Sequence, residues 1–143
     1  MAASYVSSFL GDTSALGRAS RPSVVARLTP LVRRGLVASC SIVELELGRG
    51  ARSGTEHRSG FADRALMLEL IPIEQPTLDR AVAVQGLLAD AGHHRGIPLS
   101  DLIIAAAAER AGLTVLHYDA DYDRIAAVTG QPVEWVVERG TAD

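Results

Sequence analysis

Four acids stand where a folded chain could gather them: Asp12, Glu44, Asp101 and Asp119. Each sits just after a short apolar run or in the first turns of a candidate helix. Carboxylates brought together repel one another, and the cluster is costly unless something compensates it. An oxygen-liganded divalent cation does so, and hard oxygen ligands select Mg²⁺ or Mn²⁺. A cation held this way activates a water and neutralises charge on a transferring phosphoryl group. The chemistry pointed to is therefore phosphodiester hydrolysis. Each acid also has a plainer reading. Asp12 can cap the helix that follows it. Ser41-Ile42-Val43-Glu44 has the spacing of a capping box, and Asp101 in a first helical turn suits the helix dipole.

The elements that must position these acids follow from periodicity and punctuation. Tyr5 to Leu10 reads as a first strand that delivers Asp12 at its C-terminal end. Pro22 opens a helix to about Arg34, with Pro30 expected to kink or split it. Leu36 to Cys40 is a second strand, with Ser41 as cap of the next helix. Gly48 to Arg58 reads as a polar Gly/Arg loop. Phe61 to Leu70 is an amphipathic helix, Ile71-Pro72-Ile73 a short extended piece, and Thr77 to about Ala91 a further helix. Gly92-His93-His94-Arg95-Gly96 reads as a loop with solvated histidines. Ser100 is the expected cap of an almost wholly apolar helix that Gly112 ends. Leu113 to His117 is a buried strand that leads into Asp119 and Asp121. Asp121 to Thr129 is a helix, and Val133 to Val137 a last edge strand. Strands alternating with helices predict one α/β domain over residues 1–143, a three-layer α/β/α sandwich on a parallel sheet. In such a sheet the strands' C-terminal ends share one edge, where a ligand crevice forms.

Composition narrows the chemistry. The chain has 143 residues, 48% hydrophobic, with a mean hydropathy of +0.16, enough for a packed core. All 14 basic residues are arginine, which excludes lysine Schiff bases and a lysine-bearing phosphate loop. Cys40, the single cysteine, excludes an internal disulfide. No Gly-x-Ser-x-Gly and no zinc-ligand spacing is present. Residues 1–60 carry eight arginines against four acids, and residues 61–143 six against thirteen. That asymmetry suits a phosphate-bearing substrate held against an acidic site. No apolar run is long enough to span a bilayer, and no basic stretch leads into an apolar one at the start. The expectation is a cytoplasmic protein without a membrane segment.

Four sequence pieces, in order, resemble the PIN-domain ribonucleases, specifically the VapC toxins of VapBC toxin–antitoxin pairs. They are Asp12-Thr13-Ser14, Glu44 with Gly48, Pro98-Leu99-Ser100-Asp101-Leu102-Ile103-Ile104-Ala105, and His117-Tyr118-Asp119-Ala120-Asp121-Tyr122. The resemblance implies a PIN-like fold with about five parallel strands, a Mg²⁺ or Mn²⁺ site, and endoribonuclease activity on RNA. It implies a homodimer and inhibition by a cognate VapB-type antitoxin. Asp12 and Asp101 would be the main metal ligands, Glu44 and Asp119 ligands directly or through water, and Ser14 a supporting hydrogen bond. Two departures stand out. Gly11 replaces the usual bulky apolar residue, and both Asp119 and Asp121 are available for the fourth acid. Two other readings compete: a phosphatase or phospho-receiver built on Asp119-Ala120-Asp121, and a non-catalytic PIN-like module that binds a protein partner.

Overall fold

Parallel strands need a helical crossover between them, so short apolar strands alternating with helices build an all-parallel sheet. The computed structural model describes residues 5–143. In chain order these form β1 (Phe9–Gly11), α1 (Thr13–Leu16), α2 (Pro22–Arg33), β2 (Val37–Cys40), α3 (Ser41–Arg49) and α4 (Gly54–Met67). They continue with β3 (Glu69–Ile71), α5 (Gln75–Asp90), a 3₁₀ turn (His94–Gly96), α6 (Leu99–Ala111), β4 (Thr114–His117), α7 (Asp121–Thr129) and β5 (Val133–Trp135). The sheet order is β3-β2-β1-β4-β5, and every neighbouring pair is parallel. β1 is central, with Phe9 opposite Val37 on one side and Thr114 on the other. The expected five-stranded α/β/α sandwich is the fold found.

Alternation along the strands divides the interior in two. Leu10 and Val115 face a large core with α3, α5, α6 and α7, where the small side chains of Ala105 to Ala108 let α6 lie close. Leu116 faces a smaller core with Ala15, Val24, Leu28, Val136 and Ala142. Among the described residues no helix is long and apolar enough to cross a membrane.

Several boundaries differ from expectation, each for a local reason. β1 extends to Gly11, where a Cβ would stand 3.0 Å from the Leu16 side chain. Glycine there lets α1 fold down onto the strand end. Pro30 lies inside α2 without splitting it. The carbonyl that loses its partner belongs to Ala26, which is exposed and can bond to water. Most of the expected Gly/Arg loop is helical: Gly48 and Arg49 end α3, and the Ser53 hydroxyl accepts from the Glu56 N–H at 3.0 Å and starts α4 at Gly54. His57 of that helix packs against Gly48, with its Nε2 2.7 Å from where a Cβ would sit. Cys40 rather than Ser41 caps α3, and Pro98 rather than Ser100 caps α6. β3 lies at Glu69–Ile71, two residues before the expected extended piece.

Candidate metal centre

The C-terminal ends of the two central strands, β1 and β4, bring the acids together. Asp12 follows β1, and its N–H donates to the Leu116 carbonyl of β4 at 2.9 Å. Its Oδ2 accepts from the Ser14 N–H (2.9 Å) and hydroxyl (2.6 Å). The capping reading of Asp12 is therefore correct. Ser14 Oγ accepts in turn from the Tyr118 N–H at 2.8 Å, which ties the β1 and β4 loops together. Asp12 Oδ1 accepts from the Tyr122 hydroxyl at 2.6 Å.

Asp101 lies in the first turn of α6 and is 6% exposed. Its Oδ1 is 3.5 Å from the Tyr122 hydroxyl, and its Oδ2 is buried with no hydrogen-bond partner. Asp119 accepts from the Asp121 N–H at 2.9 Å, a turn that opens α7. Carboxylate oxygens of Asp101, Asp119 and Asp121 all lie within 4.8 Å of one another.

This crowding has an electrostatic consequence. Burial, followed by the charges of Asp12, Asp119, Asp121 and Glu46, pushes the Asp101 carboxyl up to about 8. Burial and Asp119 raise Asp121, while Arg124, 3.7 Å away, opposes them. Burial and the neighbouring acids hold the Tyr122 phenol well above its ordinary range. A buried, unpartnered carboxylate oxygen beside two further acids is an all-oxygen donor set. That set fits a hard divalent cation.

Glu44 is not among the three acids whose oxygens lie within 4.8 Å of one another, and it has partners of its own. Its Oε2 accepts from the Ser39 hydroxyl at 2.8 Å, and its Oε1 pairs with Arg64 Nε of α4 at 2.8 Å. The capping box with Ser41 does not form either, because Ser41 is already inside the helix. Two residues on, Glu46 turns toward the site. It accepts from the Thr13 hydroxyl at 2.8 Å and is among the charges that raise Asp101. The available signal was the i, i+3 spacing of Glu46 from Val43, a core residue of α3.

Two more residues escaped the sequence reading. Tyr122 is fully buried on the inner face of α7 with Ile125, and a hydroxyl on an apolar stripe was the cue. His117, also fully buried, accepts the Asp119 N–H on Nδ1 at 3.1 Å. Its ring lies 5.0 Å from those of Tyr122 and Trp135. Burial lowers its basicity, so it serves as a neutral acceptor that orients the Asp119 loop. His93 is exposed, and His94 is half-buried in the 3₁₀ turn.

Known proteins resemble this chain in sequence and in fold. The sequence matches the PIN domain family over residues 9–128. It is 49% identical over 134 residues to Ribonuclease VapC21 of Mycobacterium tuberculosis, covering 94% of this chain and 97% of that one. It is 47% identical to Ribonuclease VapC51 of the same organism, covering 94% and 97%. Among solved structures, DNA-bound VapBC from Salmonella typhimurium superimposes with a TM-score of 0.73 at 19% identity, over 92% of this chain and 100% of that one. A toxin–antitoxin complex from Klebsiella pneumoniae gives 0.70 at 22% identity, over 92% and 99%. Those two likenesses are likenesses of fold. On the sequence match and the identity to the two mycobacterial ribonucleases, this chain belongs to the PIN-domain family, on its VapC branch.

Proposed function

We propose that this protein is a metal-dependent endoribonuclease toxin, hydrolysing phosphodiester bonds of RNA and neutralised by a cognate VapB-type antitoxin. The observation that carries this reading is the buried, unpartnered Asp101 Oδ2 beside Asp119 and Asp121 at the sheet edge. The identity to named ribonucleases supplies the substrate class. Asp101, Asp119 and Asp121 would hold the ion, Mg²⁺ or Mn²⁺, with Asp12 beside them. We assign the glutamate's part to Glu46 in place of Glu44, on the strength of its contact with Thr13 and its effect on Asp101.

When bound, such an ion supplies a water of lowered pKa and charge to meet the phosphoryl oxygens. The chain's own residues prepare the place. Ser14 fixes the Asp12 rotamer through two hydrogen bonds, and His117 fixes the backbone of Asp119. The dipole of α6 favours an anionic Asp101 at its N-terminus. Arg124, half exposed at the rim beside Asp121, is a cation within reach of a phosphate. A basic side chain of the antitoxin entering the acidic cleft would meet the same charges and shut the site. Assembly as a homodimer belongs to the same reading.

The test is RNA cleavage by the purified chain with and without Mg²⁺ or Mn²⁺, and with a chelator. Metal-dependent cuts that vanish on adding the cognate antitoxin are expected. Cleavage that persists in the chelator would refute the metal's part, and an inert protein would refute the nuclease.

A further inference from the structure

Tyr122 carries the one hydroxyl that lies between two acids of the site. Its side chain is fully buried, and its oxygen is 2.6 Å from Asp12 Oδ1 and 3.5 Å from Asp101 Oδ1. A phenol has one proton to give, and the shorter contact commits it to Asp12. Asp12 then has three donors: the Tyr122 hydroxyl, the Ser14 hydroxyl and the Ser14 N–H. Asp101 keeps a buried oxygen with none. Two carboxylates with similar burial are thus satisfied very differently, and the tyrosine stands between them.

Resting on the divalent-ion reading above, we propose that the Tyr122 hydroxyl is a positioning group that competes with the cation for Asp12. It answers the charge on Asp12 Oδ1 from within the protein. It thereby leaves Asp101, Asp119 and Asp121 as the oxygens with most to gain from an ion. Phenylalanine fills the same space without a proton to donate. In that variant Asp12 Oδ1 carries unanswered buried charge, and the whole cluster draws the ion more strongly.

Calorimetric titration of the full chain with Mn²⁺ tests this. Tyr122→Phe is expected to bind Mn²⁺ roughly tenfold more tightly than wild type, the size expected for a lost hydrogen bond to a charged group. In the wild type, saturation with Mn²⁺ should shift the tyrosine absorption band as the Asp12 contact is redrawn. That component should be missing from the Tyr122→Phe spectrum. Equal or weaker binding by Tyr122→Phe overturns the proposal, and so does a wild-type band indifferent to Mn²⁺. The band alone decides if Tyr122→Phe does not fold. Failure of the wild type to take up Mn²⁺ overturns the ion reading and this proposal together. Uptake without the tyrosine effects overturns only this one.

Discussion

Two buried carboxylates, Glu44 and Asp101, show what separates an acid kept for structure from one kept for chemistry. Glu44 is 8% exposed and Asp101 6%. Both sit in the first turn of a helix that follows close on a strand or extended segment. Glu44 is answered from within the chain, by the Arg64 guanidinium on one oxygen and the Ser39 hydroxyl on the other. Asp101 has other acids as its charged neighbours, the Tyr122 hydroxyl 3.5 Å from one oxygen, and no partner on the other. Burial with a counter-charge is a closed account of an ion pair. Burial without one stores repulsion that something outside the chain must relieve. Arg64 and Tyr122, the partners that decide the matter, lie far from the two acids in sequence.

The largest effect is expected from Asp101→Asn. Removing the central negative charge should cut RNA cleavage by roughly 100–1,000-fold, the scale of losing one main electrostatic contributor. The same change should raise the melting temperature in a chelator, because the fold no longer has to keep a buried carboxyl protonated that the unfolded chain would ionise. Cleavage and thermal unfolding, measured on the same preparation, check both signs. A variant that lost stability would show that Asp101 is answered in a way the geometry does not reveal.

The mirror experiment is on the paired acid. Glu44→Gln keeps the shape and loses the charge opposite Arg64, and should cost about 2 kcal/mol of stability, since Arg64 stays partly solvated. Its cleavage rate should stay within about threefold of wild type, within what roughly 0.6 kcal/mol spans. Glu46→Gln, two residues along the same helix, should do the reverse: a loss of cleavage of at least about tenfold, or roughly 1.4 kcal/mol, with little change in melting temperature. Denaturant curves and initial rates on the two variants would separate them. Equal behaviour would remove the distinction drawn between the helix faces.

A pH series sharpens the comparison without a mutation. The Asp101 carboxyl is pushed up to about 8 in the fold, against an ordinary value near 3.8. Between those limits the folded protein holds a proton that the unfolded chain has released. Stability in a chelator should therefore fall as pH rises from about 4 to about 8. Cation binding must displace that proton, so Mn²⁺ affinity should climb by up to about tenfold per pH unit and flatten above about 8. Melting temperature and calorimetry at pH 6, 7, 8 and 9, repeated on Asp101→Asn, would check the pair of trends. The mutant should show both trends much reduced, with a remainder from Asp121.

The same contrast explains what could be read from the sequence. Strand and helix order, the parallel sheet and the acids at its edge followed from apolar runs and their punctuation, which are local. Asp12, Asp101 and Asp119 were found because each sits at a strand end or helix start, where topology alone decides which edge it reaches. Glu44 was named from its place early in a helix after a strand and from the family resemblance, and neither shows that Arg64 and Ser39 would be its partners. Glu44 and Glu46 are two residues, about 200°, apart on the helix, so they point to nearly opposite sides and meet different partners. Tyr122 was missed because its neighbours, Asp12 and Asp101, are 110 and 21 residues away.

The smallest effect concerns a polar group that is fully satisfied and touches the site only through its backbone. The Tyr118 hydroxyl accepts from the N–H groups of Gly140 (2.7 Å) and Ala142 (3.0 Å) and donates to Asp143 (2.7 Å). Arg18 stacks on its ring at 4.6 Å and donates to the Ala142 carbonyl, so residues 140–143 are pinned against the smaller core. The link to the acids is the Tyr118 N–H, which donates to Ser14, and no side-chain change removes it. Tyr118→Phe should therefore loosen residues 140–143, lower stability by about 1 kcal/mol because water can reach the freed amides, and leave Mn²⁺ affinity unchanged. Hydrogen exchange at Gly140 and Ala142 reads the first effect and calorimetry the last. A fall in Mn²⁺ affinity would mean that the geometry around Asp12 leans on the docked tail, and that satisfied and unsatisfied polar groups in this protein are mechanically coupled.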